Sequence, residues 1–150
     1  MAGLLVIAHA PLASALRTVA QHVYPDSSTS LAALDVAADA PIEQVEAQAA
    51  ALLAHIGTPE ALILTDVFGA TPCNVAQRLA DGVRVRVVTG VNVPMLWRAL
   101  CYASESLDSL VSRALAGATQ GAMQVSPTRP QNQARNSSDP DAKSQGHDQQ

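Results

Sequence analysis

Gly3-Leu4-Leu5-Val6-Ile7-Ala8-His9-Ala10-Pro11 is the stretch that decides the fold. Its apolar, partly β-branched run reads as a strand over about Leu4 to Ala8. Pro11 then opens a helical pattern to about Val23, with Leu12, Leu16, Val19 and Val23 on one face. His9 stands between the two, where a strand ends and a helix begins. In open α/β sheets that place is the carboxyl edge, where ligands and chemistry gather. A neutral imidazole there offers one nucleophilic nitrogen while a partner fixes the other.

The same strand-then-helix layout recurs outward from this stretch. Leu31 to Val36 reads as a short strand, and Pro41 opens a helix with Ile42, Val45, Ala49, Leu52 and Ile56 at helical spacing before Gly57-Thr58-Pro59 stops it. Ala61-Leu62-Ile63-Leu64-Thr65 is apolar on both faces, as a central parallel strand is. A third helix is expected from Pro72 to about Ala80, and a fourth strand from Val83 to Val88. A fourth helix should start near Val93, and a fifth should run from about Leu107 to Leu115 and end at Gly117. Gly121 to Val125 reads as a weak last strand. Successive βα units imply a doubly wound parallel sheet with right-handed crossovers. Each of the four strands is followed by a proline that opens a helix: Pro11, Pro41, Pro72 and Pro94.

The 150 residues suit one domain, residues 1–126, followed by a polar segment, 127–150, that has almost nothing to bury and reads as a disordered tail. His147 falls in that tail. Hydrophobic content is 48% but aromatics are only 3%, so the core must be built from Ala, Val, Leu and Ile. A net charge of −4 argues against nucleic acid as a partner. The apolar runs are too short for a membrane span and no basic leader precedes them, which points to a soluble, cytoplasmic chain. Cys73 and Cys101 form no metal-like cluster with the histidines and read as reduced thiols, so no metal or cofactor is expected.

The residues that carry chemistry lie on three turns. In the flavodoxin-like strand order 2-1-3-4 the switch point falls between strands one and three, which His9 and Asp66 end. A carboxylate accepting from one ring N–H would fix the tautomer, leave the other nitrogen nucleophilic and stabilise a charged ring. A phosphoryl group on His9 would add about two negative charges, which nearby helix starts would offset. Thr71, immediately before Pro72, reads as an N-cap whose hydroxyl either caps the helix or meets a phosphate oxygen. Gly69 and the residue after the histidine, Ala10, lie where backbone approaches such a group. Phe68, Asn92 and Met95 fall on these turns as a candidate partner surface. Each also has a plain reading: Phe68, Met95 and Trp97 as packing residues, Asn92 as a cap, Asp66 as a turn acceptor, and His22 and His55 as surface groups at helix ends.

Taken together these turns resemble one family. His9, then Asp66-Val67-Phe68-Gly69-Ala70-Thr71-Pro72-Cys73-Asn74, then Gly90-Val91-Asn92-Val93-Pro94-Met95-Leu96 are similar to the mannose-type enzyme IIA (EIIA) domain of the bacterial sugar phosphotransferase system, over about residues 2–126. The resemblance implies that His9 accepts a phosphoryl group from the phosphocarrier HPr and passes it to a IIB partner, with Asp66 supporting it. It also implies a homodimer in which Gly121 to Val125 is a short antiparallel strand exchanged between subunits. Two departures are small: Ala10 stands where the family usually has glycine, and Gly69-Ala70 where it often has two glycines.

Two alternatives belong to other classes. A regulatory interaction protein could keep the His9 switch without feeding a sugar. A receiver-type switch would use Asp66 as phosphoacceptor, but it would need an acidic pair where Ala8-His9-Ala10 stands and a lysine that residues 1–126 lack.

Overall fold

In the computed structural model the described residues are 1–128, excepting the side chains of Ser28 and Thr29. Strand β1 (Gly3–His9) leads to helix α1 (Leu12–Val23), and a short 3-10 turn at Ser27–Ser30 precedes β2 (Leu31–Val36). Then follow α2 (Ile42–Ile56), β3 (Ala61–Thr65), α3 (Thr71–Leu79), β4 (Val85–Thr89), α4 (Val93–Cys101) and α5 (Leu107–Gly121). The four strands form one parallel sheet in the order β2-β1-β3-β4. Its switch point lies between β1 and β3, as the strand pattern predicts.

Alternate residues of the central strands feed two cores. Leu4, Val6, Ala8, Leu62 and Leu64 pack with α1, α4 and α5, through Ala13, Leu16, Ala20, Met95, Leu96, Ala99 and Leu110. Leu5, Ile7, Ile63 and Val36 pack with α2 and α3 through Val45, Ala49, Val75 and Ala76. Each fully buried leucine or isoleucine of β1 and β3 contributes about 1.5–3 kcal/mol. This two-sided burial makes β1 and β3 a rigid base for the residues that follow them.

The structure corrects four expectations in detail. Helix α1 buries Ala13, Leu16 and Ala20, whereas Leu12 and Val23 are exposed; the small alanines let it lie close to the sheet, which turns its stripe by about one position. Strand β4 starts at Val85, because the Asp81 carboxylate accepts the N–H groups of Val83, Arg84 and Val85 and holds those residues in a turn. Those bonds, Val85's first, hold the Asp81 carboxyl below its usual pKa. Helix α5 does not stop at Gly117 but runs to Gly121. A Cβ at Gly117 would stand 2.9 Å from the Pro94 carbonyl oxygen, so this glycine serves close packing against α4, not termination. The expected strand Gly121 to Val125 is absent within the chain: Gly121 closes α5 and residues 122–128 take no regular structure, with Met123 and Val125 exposed. Of the proposed 127–150 tail, residues 129–150, including His147, lie outside the described residues.

Candidate active site

His9 ends β1 with its side chain 47% exposed, and Asp66 follows β3 with its side chain 14% exposed. Parallel pairing of Ile7 with Thr65 brings the two strand ends level, so both residues project from the same rim. The Asp66 carboxylate accepts the His9 backbone N–H at 3.0 Å and approaches the ring Nδ1 at 2.7 Å, both through Oδ2. Its Oδ1 accepts the Val67 N–H at 2.9 Å. Burial works to raise the Asp66 pKa, but the backbone and ring bonds from His9 and the Val67 N–H outweigh it and hold the carboxyl below its usual value. An ionised Asp66 only accepts, so in the neutral ring Nδ1 carries the proton and Nε2 the lone pair.

The rest of the histidine turn is held from the opposite side. Ala10 donates its N–H to the Val36 carbonyl at 2.9 Å, and the Ala10–Pro11 peptide is cis. Asp35, on β2, accepts both the Ser14 N–H at 3.0 Å and the Ser14 hydroxyl at 2.6 Å. This second carboxylate escapes a reading of the sequence, because Asp35 and Ser14 are joined only by the pairing of β1 with β2.

The two helix starts beside the His9–Asp66 pair differ. Helix α1 has its Ser14 N–H occupied by Asp35. Helix α3 has Ala70 as N-cap, without a side-chain acceptor, and no acidic residue in its first turn; the first N–H to bond back into the helix is that of Asn74, to the Ala70 carbonyl. Its Thr71 and Cys73 N–H groups therefore have no acceptor within the helix. Thr71 is the first helical residue instead of the cap expected of it, since Ala70 already has the extended backbone of an N-cap. Gly69 adopts φ +90°, a left-handed conformation that glycine takes without strain, and Phe68 beside it is 72% exposed.

The third turn does not join the site as expected. Asn92 caps α4, its side chain accepting the Met95 N–H at 2.8 Å and donating to the Ala118 carbonyl at 3.4 Å. Met95 is fully buried in the core and presents nothing to a partner. Met95 is thus a correction to the partner-surface assignment, whereas Asn92 is half-buried as the cap and Phe68 is exposed. A cavity of about 410 Å³ lies along α4 and the end of α5, lined in part by Tyr24, Trp97, Arg98 and Met123, and it includes neither His9 nor Asp66. Among the described residues no group of three histidine, cysteine or acidic side chains is arranged to hold a metal ion, and no helix is long and apolar enough to cross a membrane.

Residues 3–115 match the model of the EIIA-man family, described as the PTS system fructose IIA component, PTS being the sugar phosphotransferase system. The chain belongs to this family. Its role is thus that of a PTS component, and its chemistry is phosphotransfer in the general sense. Solved structures share the fold. The mannose/sorbose specific IIA subunit from Enterococcus faecalis has a TM-score of 0.77 at 24% identity, over 86% of this chain and 98% of that one. The phosphotransferase system component EIIA from Streptococcus agalactiae has a TM-score of 0.74 at 22% identity, over 83% and 97%. The PTS IIA protein associated with the fucose utilization operon of Streptococcus pneumoniae gives 0.65 at 24%, over 83% and 96%. No curated protein matches the chain.

Proposed function

We propose that this EIIA protein carries a phosphoryl group on His9 Nε2, taken from phosphorylated HPr and delivered to a IIB component or read as a regulatory signal. The observation that carries the proposal is the 2.7 Å approach of His9 Nδ1 to Asp66 on the rim of the sheet. In the first step the Nε2 lone pair attacks phosphorus, a P–N bond forms, and the donor leaves with the electrons of its broken bond to phosphorus. The ring becomes cationic and keeps its Nδ1 proton, and the ionised Asp66 stabilises it. The phosphoryl oxygens are met by the open start of α3, with Thr71 and the backbone at Gly69 and Ala10 as contacts. In the second step the recipient's nucleophile attacks phosphorus, and the P–N electrons return to Nε2.

Phe68 gives the incoming proteins an exposed aromatic contact beside the histidine. The proposal further takes the chain to be cytoplasmic, with residues 1–126 as the phosphotransfer domain and 127–150 as an appended tail. It takes the protein to be a homodimer that uses the segment after Gly121, whose Met123 and Val125 are exposed, in exchange.

Incubation with phosphoenolpyruvate-charged HPr tests the reading. Acid-labile, base-stable label is expected on the wild-type chain and none on His9→Ala. Label that persists in His9→Ala, or that is stable in acid and labile in base, would place the acceptor elsewhere.

A further inference from the structure

Asp35 is a carboxylate near the rim that the phosphoryl-carrier reading does not use. It lies on β2 directly across from Ala8 in the register that also pairs His9 with Val36, so it sits one residue from the phosphoacceptor's own partner. Both its oxygens are engaged by one residue in the first turn of α1, the helix that follows His9. That helix has no cap of its own: Pro11 at its N-cap makes no side-chain bond, and its first turn holds no acidic residue. Left alone, its positive end would attract an anion on His9, as the start of α3 does. The neighbouring strand supplies a permanent anion instead.

From this asymmetry we infer that Asp35 is a positioning residue that sets how tightly His9 holds its phosphoryl group. The inference rests on the phosphoryl-carrier reading. By occupying the Ser14 N–H and hydroxyl, the Asp35 carboxylate takes these two donors of the first turn of α1 away from the phosphoryl group, whereas no side chain fills the start of α3. Its fixed charge also repels the roughly two negative charges of the phosphorylated form. A group opposed in this way leaves more readily, which suits a carrier that must pass its cargo on. The same contact ties the His9-Ala10-Pro11 turn to β2, so charge and geometry come from one side chain.

The test is the equilibrium of phosphoryl exchange between HPr and the full-length chain at low salt. Asp35→Asn retains a hydrogen-bonding shape and loses the charge; it is expected to shift the equilibrium toward phosphorylated His9 by about three- to fivefold, with the gain shrinking as salt is added. Asp35→Glu keeps the charge and should hold the wild-type value, an outcome that a merely structural role would not favour over asparagine. Asp35→Ser removes the charge with a smaller side chain and should move the equilibrium the same way, should the amide variant not fold. Neutral variants that fold and leave the equilibrium unchanged, or shift it toward HPr, would overturn the inference. Failure of the wild-type chain to take label at all would instead remove the phosphoryl-carrier reading beneath it.

Discussion

The turn from β3 into α3 and the turn from β4 into α4 are made from similar parts. Each has a glycine at positive φ, Gly69 or Gly90, and each places a proline in the first helical turn, Pro72 or Pro94. Their ends differ. Asn92 fills the N-terminus of α4 with its own side chain and reaches across to α5, while Met95 drops into the core. Ala70 leaves α3 unfilled, and Phe68 points to solvent. A helix start that satisfies itself serves the fold; one left unsatisfied next to a nucleophile is available to a ligand.

Substitutions should separate the two turns. Replacing His9 by alanine should remove all phosphoryl label, as set out above. Asp66→Ala should slow transfer by about 10²-fold while the protein stays folded, as measured by quench-flow with charged HPr, because the ring loses its fixed tautomer and its counter-charge. An unchanged rate would erase the distinction, since the β3–α3 turn would then contribute no more chemistry than the β4–α4 turn. Phe68→Ala should weaken HPr or IIB binding about tenfold in titration calorimetry, with the melting temperature unmoved. Asn92→Ala should do the reverse: about 1–2 kcal/mol of stability lost in urea unfolding, with the transfer rate of the folded protein retained.

Acid gives the smallest effect. The Asp66 carboxyl is held below its usual pKa in the folded state, so its contribution to stability is complete above the ordinary carboxylate range and disappears as pH falls through the lowered folded value. Asp66→Asn should therefore flatten the acid limb of the stability curve, whereas Asn92→Ala should shift that curve down without changing its shape.

Much of this arrangement is legible in the sequence. Strands β2 and β3 fall where their apolar runs place them, α2 follows its periodic residues, and a histidine and an aspartate ending the two central strands announce their meeting. These signals are local: each depends on a few consecutive residues and on the strand order that βα repetition imposes. What is not legible is set by distant partners. Leu12 looks like a core residue until Ala13 and Ala20 prove to be the closer fit to the sheet. Gly117 looks like a stop until Pro94 and Arg98 of α4 occupy the space a side chain would need. The Ser14–Asp35 contact spans 21 residues and has no motif, and Thr71 gives up the cap because Ala70 already has the extended backbone.

The cores facing both sides of the sheet hold an unusual share of alanine: Ala13, Ala20, Ala49, Ala76, Ala99 and Ala114 are all buried to the point of having no exposed surface. An alanine has no rotamers to surrender, so packing these helices costs almost no side-chain entropy. It also leaves no spare length that could bend aside, and a single added methyl group has nowhere to go. Such a framework stands still when charge arrives at or leaves its edge. Variation that retunes the protein is thereby directed to the rim, to the loops and to strand-end residues such as Asp35, and away from the packed faces.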